Sequence, residues 1–494
     1  MIDMTIETLT QQSKGYPAVP VTLQFEMTDF DPVTIFNALK AANEPGFLLT
    51  GKPKETEDGY TFIGLAPKQT YTYRDHVLTQ TDQNGNETVT DAELKPILED
   101  ILAKHRTPRL PELPPFTGGL IGYFSYDYAK YATTALKQAV TDPMGLDDAD
   151  LLLVDRVIAY NHKRHEVTLS QIVATEDLAN VYDDTMAALK RLQTLITTLT
   201  PKSLPHFALT APFHFQFSLS EFSEKVAKAQ QHIVDGDIFQ LIFSNPQQAT
   251  MSGSLLGAAP TLFHDSPSPY QFYFHHRDFE TLGASPETLI TKRGETLFTY
   301  PLAGTRRRGK TPEEDAKFAH ELQTSEKEKS EHNMLIDLGR NDLGMVSKFG
   351  SVNVTKTRNL LKFVNVMHLG STVESTANPK ASAIDVVNAV LPAGTLSGAP
   401  KISAMQIISQ LENRKRGVYG GCLGYLDFSG DLDLCIGIRL TYRKGDHIVV
   451  HSGAGIVADS VAKYEYQEFN NKARAVVNAI NTADQGGVAH ALSN

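Results

Sequence analysis

Two stretches far apart in the chain, "FTGGLIGYFSYD" (Phe116 to Asp127) and "VYGGCLGYLDFSG" (Val418 to Gly430), share G-G-x-x-G-Y followed by an aromatic-rich run. Glycines at this spacing permit tight turns or close approach of one backbone to another, so the echo predicts two similar β-units, one in each half. At 494 residues the chain exceeds what one hydrophobic core usually spans, so two domains or one elaborate body are expected. Strand-like runs such as "TLFTYPLAG" and "HIVVHSGAGIV" alternate with helical ones, an α+β pattern. The Thr/Pro-rich passage from Leu195 to Phe215 has no clean period and reads as a linker. It divides an N-terminal α+β domain, residues 1–200, from a second domain, residues 215–483, with a frayed tail at 484–494. Ser218 and Glu221 form a capping-box pair ahead of the apolar spacing Phe222, Val226, Ala229 and Ile233, and "IFQLIFS" (Ile238 to Ser244) reads as a strand.

Composition narrows the function classes. With 41% hydrophobic and 21% charged residues the chain is ordinary globular protein, and a net charge of −11 argues against bulk affinity for nucleic acid or acidic lipid. The opening "MIDMTIETLTQQ" carries acids where a signal peptide would need Lys or Arg, and no segment approaches membrane-span length. Cys422 and Cys435 form no C-x-x-C, so neither a disulfide framework nor a zinc site is indicated. These features predict a soluble, cytoplasmic protein.

From Gly304 the chain reads G-T-R-R-R-G-K-T, which satisfies the phosphate-loop pattern G-x-x-x-x-G-K-[ST]. Pro312 follows directly, which makes Thr311 an N-cap, with Glu314 completing a capping box, and leaves Lys310 outside the helix. A P-loop NTPase is therefore disfavoured. "GGCLGY" around Cys422 imitates the turn that presents a nucleophilic cysteine, but the echo has Leu120 there and no partnering His-x-Glu follows. A buried structural cysteine is the simpler reading.

Two helical segments each carry Glu-x-x-Glu: Glu328 with Glu331, and Glu465 with Glu468. Residues three apart share a face. Either pair alone is usually a solvated surface, but two together suit a hard cation, Mg²⁺ before Zn²⁺. "LPAGTLSGAPK" and "HSGAGIVADS" are glycine-rich and could offer backbone N–H groups to carboxylates. Arg439, within an apolar strand pattern, needs an anion, either a substrate carboxylate or a structural partner.

The ordered set "ASPETLI", "YPLAGTRRRGKTPEED", "EHNMLIDLGRNDLG", "VMHLGS", "LPAGTLSGAPK", "RGVYGGCLGY" and "GAGIVADS…YEYQEFNNKA" resembles the chorismate-utilising enzymes, most closely the anthranilate synthase component I branch. The likeness is dense from Ser218 to Ala483 and looser before it. It implies the chorismate-binding enzyme fold, a large two-part body of antiparallel sheets packed with helices, with the catalytic domain at 215–483. It implies that Glu331 and Glu468, with Glu328 and Glu465 beside them, hold Mg²⁺, and that Gly304, Thr305, Tyr419, Arg439, Gly453, Ala454 and Gly455 bind substrate. Glu287 would protonate the departing C4 hydroxyl, with His368 and Thr395 serving the elimination of pyruvate; a hydrogen-bonded structural histidine is the rival reading of His368. Gln240 stands where water-adding members carry lysine, and Ala303 where many aminodeoxychorismate synthases carry a nucleophilic lysine. That combination points to ammonia as the nucleophile and anthranilate as the product.

The rivals are aminodeoxychorismate synthase, then an isochorismate or salicylate synthase, and from another class a non-catalytic chorismate-binding partner. Since the chain has no convincing glutaminase, the resemblance implies a separate glutamine amidotransferase subunit in a hetero-oligomer. The absence of tryptophan fits an enzyme needed when tryptophan is scarce. The family's tryptophan pocket is altered: Thr50 and Gly51 replace a Glu-Ser pair, and Gln271 replaces Met after Pro269 and Tyr270. Weakened or altered inhibition by tryptophan is expected, because a glutamine amide there needs partners of its own.

Overall fold

The computed structural model describes residues 5–41, 43–51, 58–136, 140–362 and 366–484, so the expected frayed tail lies outside the described residues beyond Asp484. Local signals act as their chemistry dictates. Ser218 and Glu221 close a reciprocal capping box on the helix Leu219–Val234, which buries Phe222, Val226 and Ala229. Pro312 opens the helix Pro312–Thr324, and the Thr311 hydroxyl accepts from Glu314 N at 3.2 Å. The expected capping box is only half formed there. The Glu314 carboxylate accepts from Lys310 N (2.6 Å) and pairs with Arg307 (2.6 Å), because an arginine next door competes for it.

Among the described residues the strands form two twelve-stranded sheets and one of three strands. The first large sheet runs from Ala18–Glu26 at one edge, through Tyr60–Leu65, Gly46–Thr50 and Tyr270–His276 in the middle, to Leu440–Lys444, His447–Val450 and Gln247–Gly253. The second runs from Leu302–Arg307 through Val366–Thr376, Thr288–Arg293, Leu432–Ile436, Cys422–Asp427 and Gly119–Phe124 to the hairpins beyond Ala149–Val154. Both sheets draw strands from before residue 200 and after residue 215, so the two sequence halves share their sheets. A buried cluster containing Phe47, Phe62, Phe272 and Tyr442 from the first sheet and Ile121, Tyr123, Leu423 and Tyr425 from the second shows that they pack face to face. Separate buried clusters join each outer face to helices, giving a helix–sheet–sheet–helix body.

The two echoing motifs are neighbours. Gly119–Phe124 pairs antiparallel with Cys422–Asp427, and Gly122 stands opposite Gly424. At φ +150° Gly424 is where L side chains rarely go, and a Cβ there would lie 2.0 Å from Asp433 O. The cysteines lie on adjacent strands and opposite faces of the sheet: Cys422, on Cys422–Asp427, faces the helices and Cys435, on Leu432–Ile436, the inter-sheet core, both fully buried. Burial pushes the Cys422 thiol up to about 12, so it is inert at neutral pH.

Gly424→Ala should cost about 3 kcal/mol or more through this backbone clash. Gly344→Ala, at a helical position with nothing within 4 Å, should stay within about 1 kcal/mol of the parent. Thermal midpoints of the two variants check the contrast, and equal midpoints would contradict the packing described.

Candidate active site

One wall of the site comes from an irregular strand pairing. Leu302–Arg307 pairs with Val366–Thr376, and the register shifts between Ala303 and Thr305, leaving Gly304 at φ +65°. A Cβ at Gly304 would lie 2.6 Å from Leu322 Cδ1 and 2.8 Å from Glu328 Oε2. Glycine therefore lets Glu328 approach the strand. The Gly304 carbonyl lies 2.9 Å from His368 Nδ1, and the Thr305 hydroxyl 3.2 Å from the same nitrogen. A carbonyl only accepts, so Nδ1 carries the proton and Nε2 is the basic nitrogen of the neutral ring. Burial, with the Arg439 charge acting the same way, lowers the His368 pKa and keeps the ring neutral.

The opposite wall is the three-stranded sheet. Gln240–Ser244 is its middle strand, with Gln240 opposite Ala399 on one side and Ile242, Phe243 and Ser244 opposite Gly455, Ala454 and Gly453 on the other. The glycine-rich segment is therefore an edge strand, Gly453–Ile456, as its strand-like run predicts, and it keeps one row of backbone groups outside the ladder. Tyr419 is buried with its hydroxyl 2.9 Å from where a Gly453 Cβ would stand, and its ring stacks on His451 at 4.4 Å.

Glu287 and Arg439 lie between the walls. The Thr395 hydroxyl, on the short turn Gly394–Leu396, donates to Glu287 Oε1 at 3.1 Å. A cavity of about 50 Å³ opens behind this pair, lined also by Tyr300, Leu338, Asp342 and Ile436. Burial pushes the Glu287 carboxyl up to about 7 against the opposing pull of Thr395, Arg439 and Lys472. Arg439 sits at φ +53° and donates to the Lys472 carbonyl, and no carboxylate of the described residues pairs with it. Burial lowers its pKa. A guanidinium placed this way is an anion receptor.

The four glutamates stand at the mouth, near the N-termini of the helices Glu326–Gly344 and Ala462–Asp484, with Glu328 and Glu465 in the first turns, where helix dipoles favour negative charge, and Glu331 and Glu468 one turn further on. They are not equivalent. Glu328 pairs with Arg306 at 3.1 Å, and Glu465 accepts from the Ser460 hydroxyl at 2.9 Å. Crowding by the surrounding chain, then the charges of Glu328 and Glu468, raises the Glu331 carboxyl above its ordinary value. Among the described residues no group of three or more His, Cys, Asp or Glu is close enough to enclose a metal ion. What fits a hard divalent cation is the mutual repulsion of Glu331 and Glu468, oxygen donors from two helices whose charges a cation would neutralise.

Lys472 is a site residue that the sequence reading missed: its ammonium is 2.7 Å from Glu468 Oε1 and 3.2 Å from Gly453 O, tying mouth to wall. Its position four residues after Glu468 on a helix was the available signal. Arg306 was missed as well, because only the fold brings it to Glu328.

The residues expected at a tryptophan pocket also come together. Gln271 lies opposite Thr50, and a Cβ at Gly51 would meet Pro269 O at 2.6 Å, so serine does not fit there in this conformation. The Gln271 amide donates to Phe263 O (2.6 Å) and Ser266 O (3.1 Å). The Tyr270 hydroxyl is held by Asp433 (2.7 Å) and Thr288 (2.9 Å).

A buried carboxyl, a neutral imidazole and a guanidinium with no carboxylate partner among the described residues thus meet between a carboxylate-rich mouth and a glycine strand. Residues 44–478 match the chorismate binding enzyme family, and the chain belongs to it. It is 34% identical over 496 residues to anthranilate synthase component 1 of Acetivibrio thermocellus, covering 97% of this chain and 99% of that one. It is 36% identical over 490 residues to the protein of the same name in Pseudomonas aeruginosa, covering 97% and 99%. The crystal structure of anthranilate synthase component I from Streptococcus pneumoniae superposes with TM-score 0.74 at 32% identity, covering 92% of this chain and 99% of that one. The menaquinone-specific isochorismate synthase of Escherichia coli shares the fold, with TM-score 0.66 at 19% identity over 96% and 98% of the chains.

The raised Glu287 pKa has a sign in stability. Folding holds the proton, so this stability is fully present below the ordinary value of 4.5 and is lost as pH rises through about 7. Glu287→Gln removes the buried charge, so its thermal midpoint should match the parent at pH 4.5 and exceed it at pH 8. An equal difference at both pH values would refute the burial-driven shift.

Proposed function

We propose that the chain converts chorismate and ammonia to anthranilate, pyruvate and water. The carrying observation is Glu287, protonatable near neutrality and held by Thr395, beside an Arg439 that pairs with no carboxylate of the described residues. Arg439, Tyr419 and the outer backbone groups of Gly453–Ile456 would grip the substrate carboxylates. As ammonia adds at C2, the Glu287 proton passes to the C4 hydroxyl, which leaves as water. His368, with Nε2 unprotonated, is suited to accept the ring proton as pyruvate is eliminated. Gln240, on the middle strand, and Ala303, opposite Leu369, offer neither a base for water nor a nucleophile, which leaves ammonia as the attacking group. Mg²⁺ held by Glu331 and Glu468, with Glu328 and Glu465 next to them, would neutralise carboxylate charge. The ammonia would come from a glutamine amidotransferase subunit in a cytoplasmic hetero-oligomer, with free ammonia as a substitute in vitro.

The purified chain with chorismate, Mg²⁺ and an ammonium salt should give anthranilate, identified by mass and fluorescence, and EDTA should stop it. Formation of 4-aminodeoxychorismate instead would reassign the amination to C4. Glu287→Gln should lower kcat by about 10²- to 10⁴-fold. In the parent, kcat/KM per free ammonia should fall as pH rises through about 7, because the acid must hold its proton. Glu331→Gln should abolish Mg²⁺-dependent turnover with the circular dichroism unchanged; retained turnover would refute the metal assignment.

For tryptophan we propose weakened or altered inhibition, because Gln271 spends its amide on Phe263 and Ser266 and Gly51 abuts Pro269. Strong inhibition at low tryptophan would contradict this.

A further inference from the structure

Arg416 is 1% exposed and Glu412 5%, which makes theirs an unusually enclosed ion pair. Glu412 is the last residue of the helix Lys401–Glu412, and Asn413 in the left-handed conformation turns the chain so that Arg416 folds back onto it. The guanidinium grips the carboxylate with two bonds, Nε to Oε2 at 2.8 Å and Nη2 to Oε1 at 2.6 Å. Its remaining bonds leave the pair: Nη1 donates to Leu396 O at 2.7 Å and Nη2 to Ile242 O at 2.8 Å. Glu412 Oε1 in turn accepts from Ser244 N at 2.8 Å. The guanidinium carbon also lies 4.5 Å from the Tyr126 ring centre and 5.7 Å from that of Tyr419.

Each of these contacts is next to a group already placed in the site. Leu396 follows Thr395, whose hydroxyl holds Glu287. Ile242 and Ser244 belong to the strand that begins at Gln240 and carries Gly453–Ile456 along its other edge. Tyr419 lies against Arg416 on one side and stacks on His451, which is itself 3.3 Å from the Ser244 hydroxyl. The mouth glutamates have no contact with the pair.

Stability alone does not call for such a pair, since well-packed apolar residues of similar volume usually replace buried ion pairs without loss. What apolar side chains cannot do is fix two separate backbone segments, at Leu396 and Ile242, at hydrogen-bond distance from one planar group while its carboxylate partner holds Ser244 N. We propose that Glu412–Arg416 is a positioning unit for the reaction, setting the Thr395 turn, the Gln240–Ser244 strand and Tyr419 relative to one another around the substrate. This rests on reading the pocket as a chorismate site.

The test compares the parent with the double variant Glu412→Leu/Arg416→Met and with Arg416→Lys. Each is measured for thermal midpoint, Mg²⁺ affinity by calorimetry, chorismate affinity, and anthranilate formation with ammonium. Misplacement on the order of 1 Å costs about 100-fold in rate. The double variant should therefore melt near the parent and bind Mg²⁺ equally well, while kcat/KM falls by about that factor. Arg416→Lys keeps the charge but not the planar fork, so its loss should be smaller and lie mainly in kcat. If the double variant does not fold, Arg416→Lys decides: parental kcat overturns the proposal and a reduced kcat at unchanged Mg²⁺ affinity supports it. Parental kcat/KM in a folded double variant also overturns it, as does a matching loss of Mg²⁺ affinity, which marks a general structural role. A parent that makes no anthranilate refutes the proposed function; the pair then stands or falls on whether chorismate affinity drops in the variants.

Discussion

The pairing of Gly119–Phe124 with Cys422–Asp427 is the constraint on which the rest depends. It closes a loop of some three hundred residues, but closure entropy grows only logarithmically with length, and the inter-sheet core it completes offsets that cost. The flanking strands approach this pair so closely that Gly122, against Asp150 O, and Gly424, against Asp433 O, must stand without side chains. Just beyond the strands the contact continues: Tyr126 N donates to Gly417 O at 2.8 Å, and Gly417 N to Asp127 Oδ2 at 2.8 Å. Arg416 and Tyr419 flank that junction, so the site's buried scaffold is an extension of the central strand pair.

The site works by contrast with its surroundings. Cations around it are mostly committed: Arg306 to Glu328, Lys401 to Asp342, Arg416 to Glu412. Arg439 donates to a backbone carbonyl, while burial raises the Glu287 carboxyl and lowers the His368 imidazole. One physical cause, the cost of holding charge away from water, thus prepares an acid and a neutral base in the same pocket and leaves a receptor for an anion. Charge is tolerated at the mouth because helix N-termini and solvent share it.

Much of this was legible in the chain. The Ser218 box, the Thr311 N-cap and the strand at Gln240–Ser244 are governed by neighbours in sequence, and they formed as local chemistry dictates. The Thr311 box failed in part because Arg307, also local, outcompetes the N-cap for Glu314. The strand-like run from His447 through the Gly453–Gly455 glycines formed two strands, His447–Val450 and Gly453–Ile456, and only the partner strand Gln240–Ser244 completes the ladder of the second. Family motifs named most candidate site residues; Lys472 is marked only by its i,i+4 spacing from Glu468, and Arg306 and the Glu412–Arg416 pair were found only in the fold.

What the sequence determined by itself was the α+β class, the caps, the inert cysteines and the types of group available for chemistry. Each follows from the periodicity, neighbours or functional groups of short segments. Only the tertiary structure decided that the two halves share their sheets, that the echoing motifs lie side by side, and that Glu287 is an acid near neutrality while Arg439 lacks a carboxylate partner. Those outcomes depend on burial and on contacts between residues hundreds of positions apart, and a carboxyl or guanidinium acquires its chemical role from the surroundings that folding places around it.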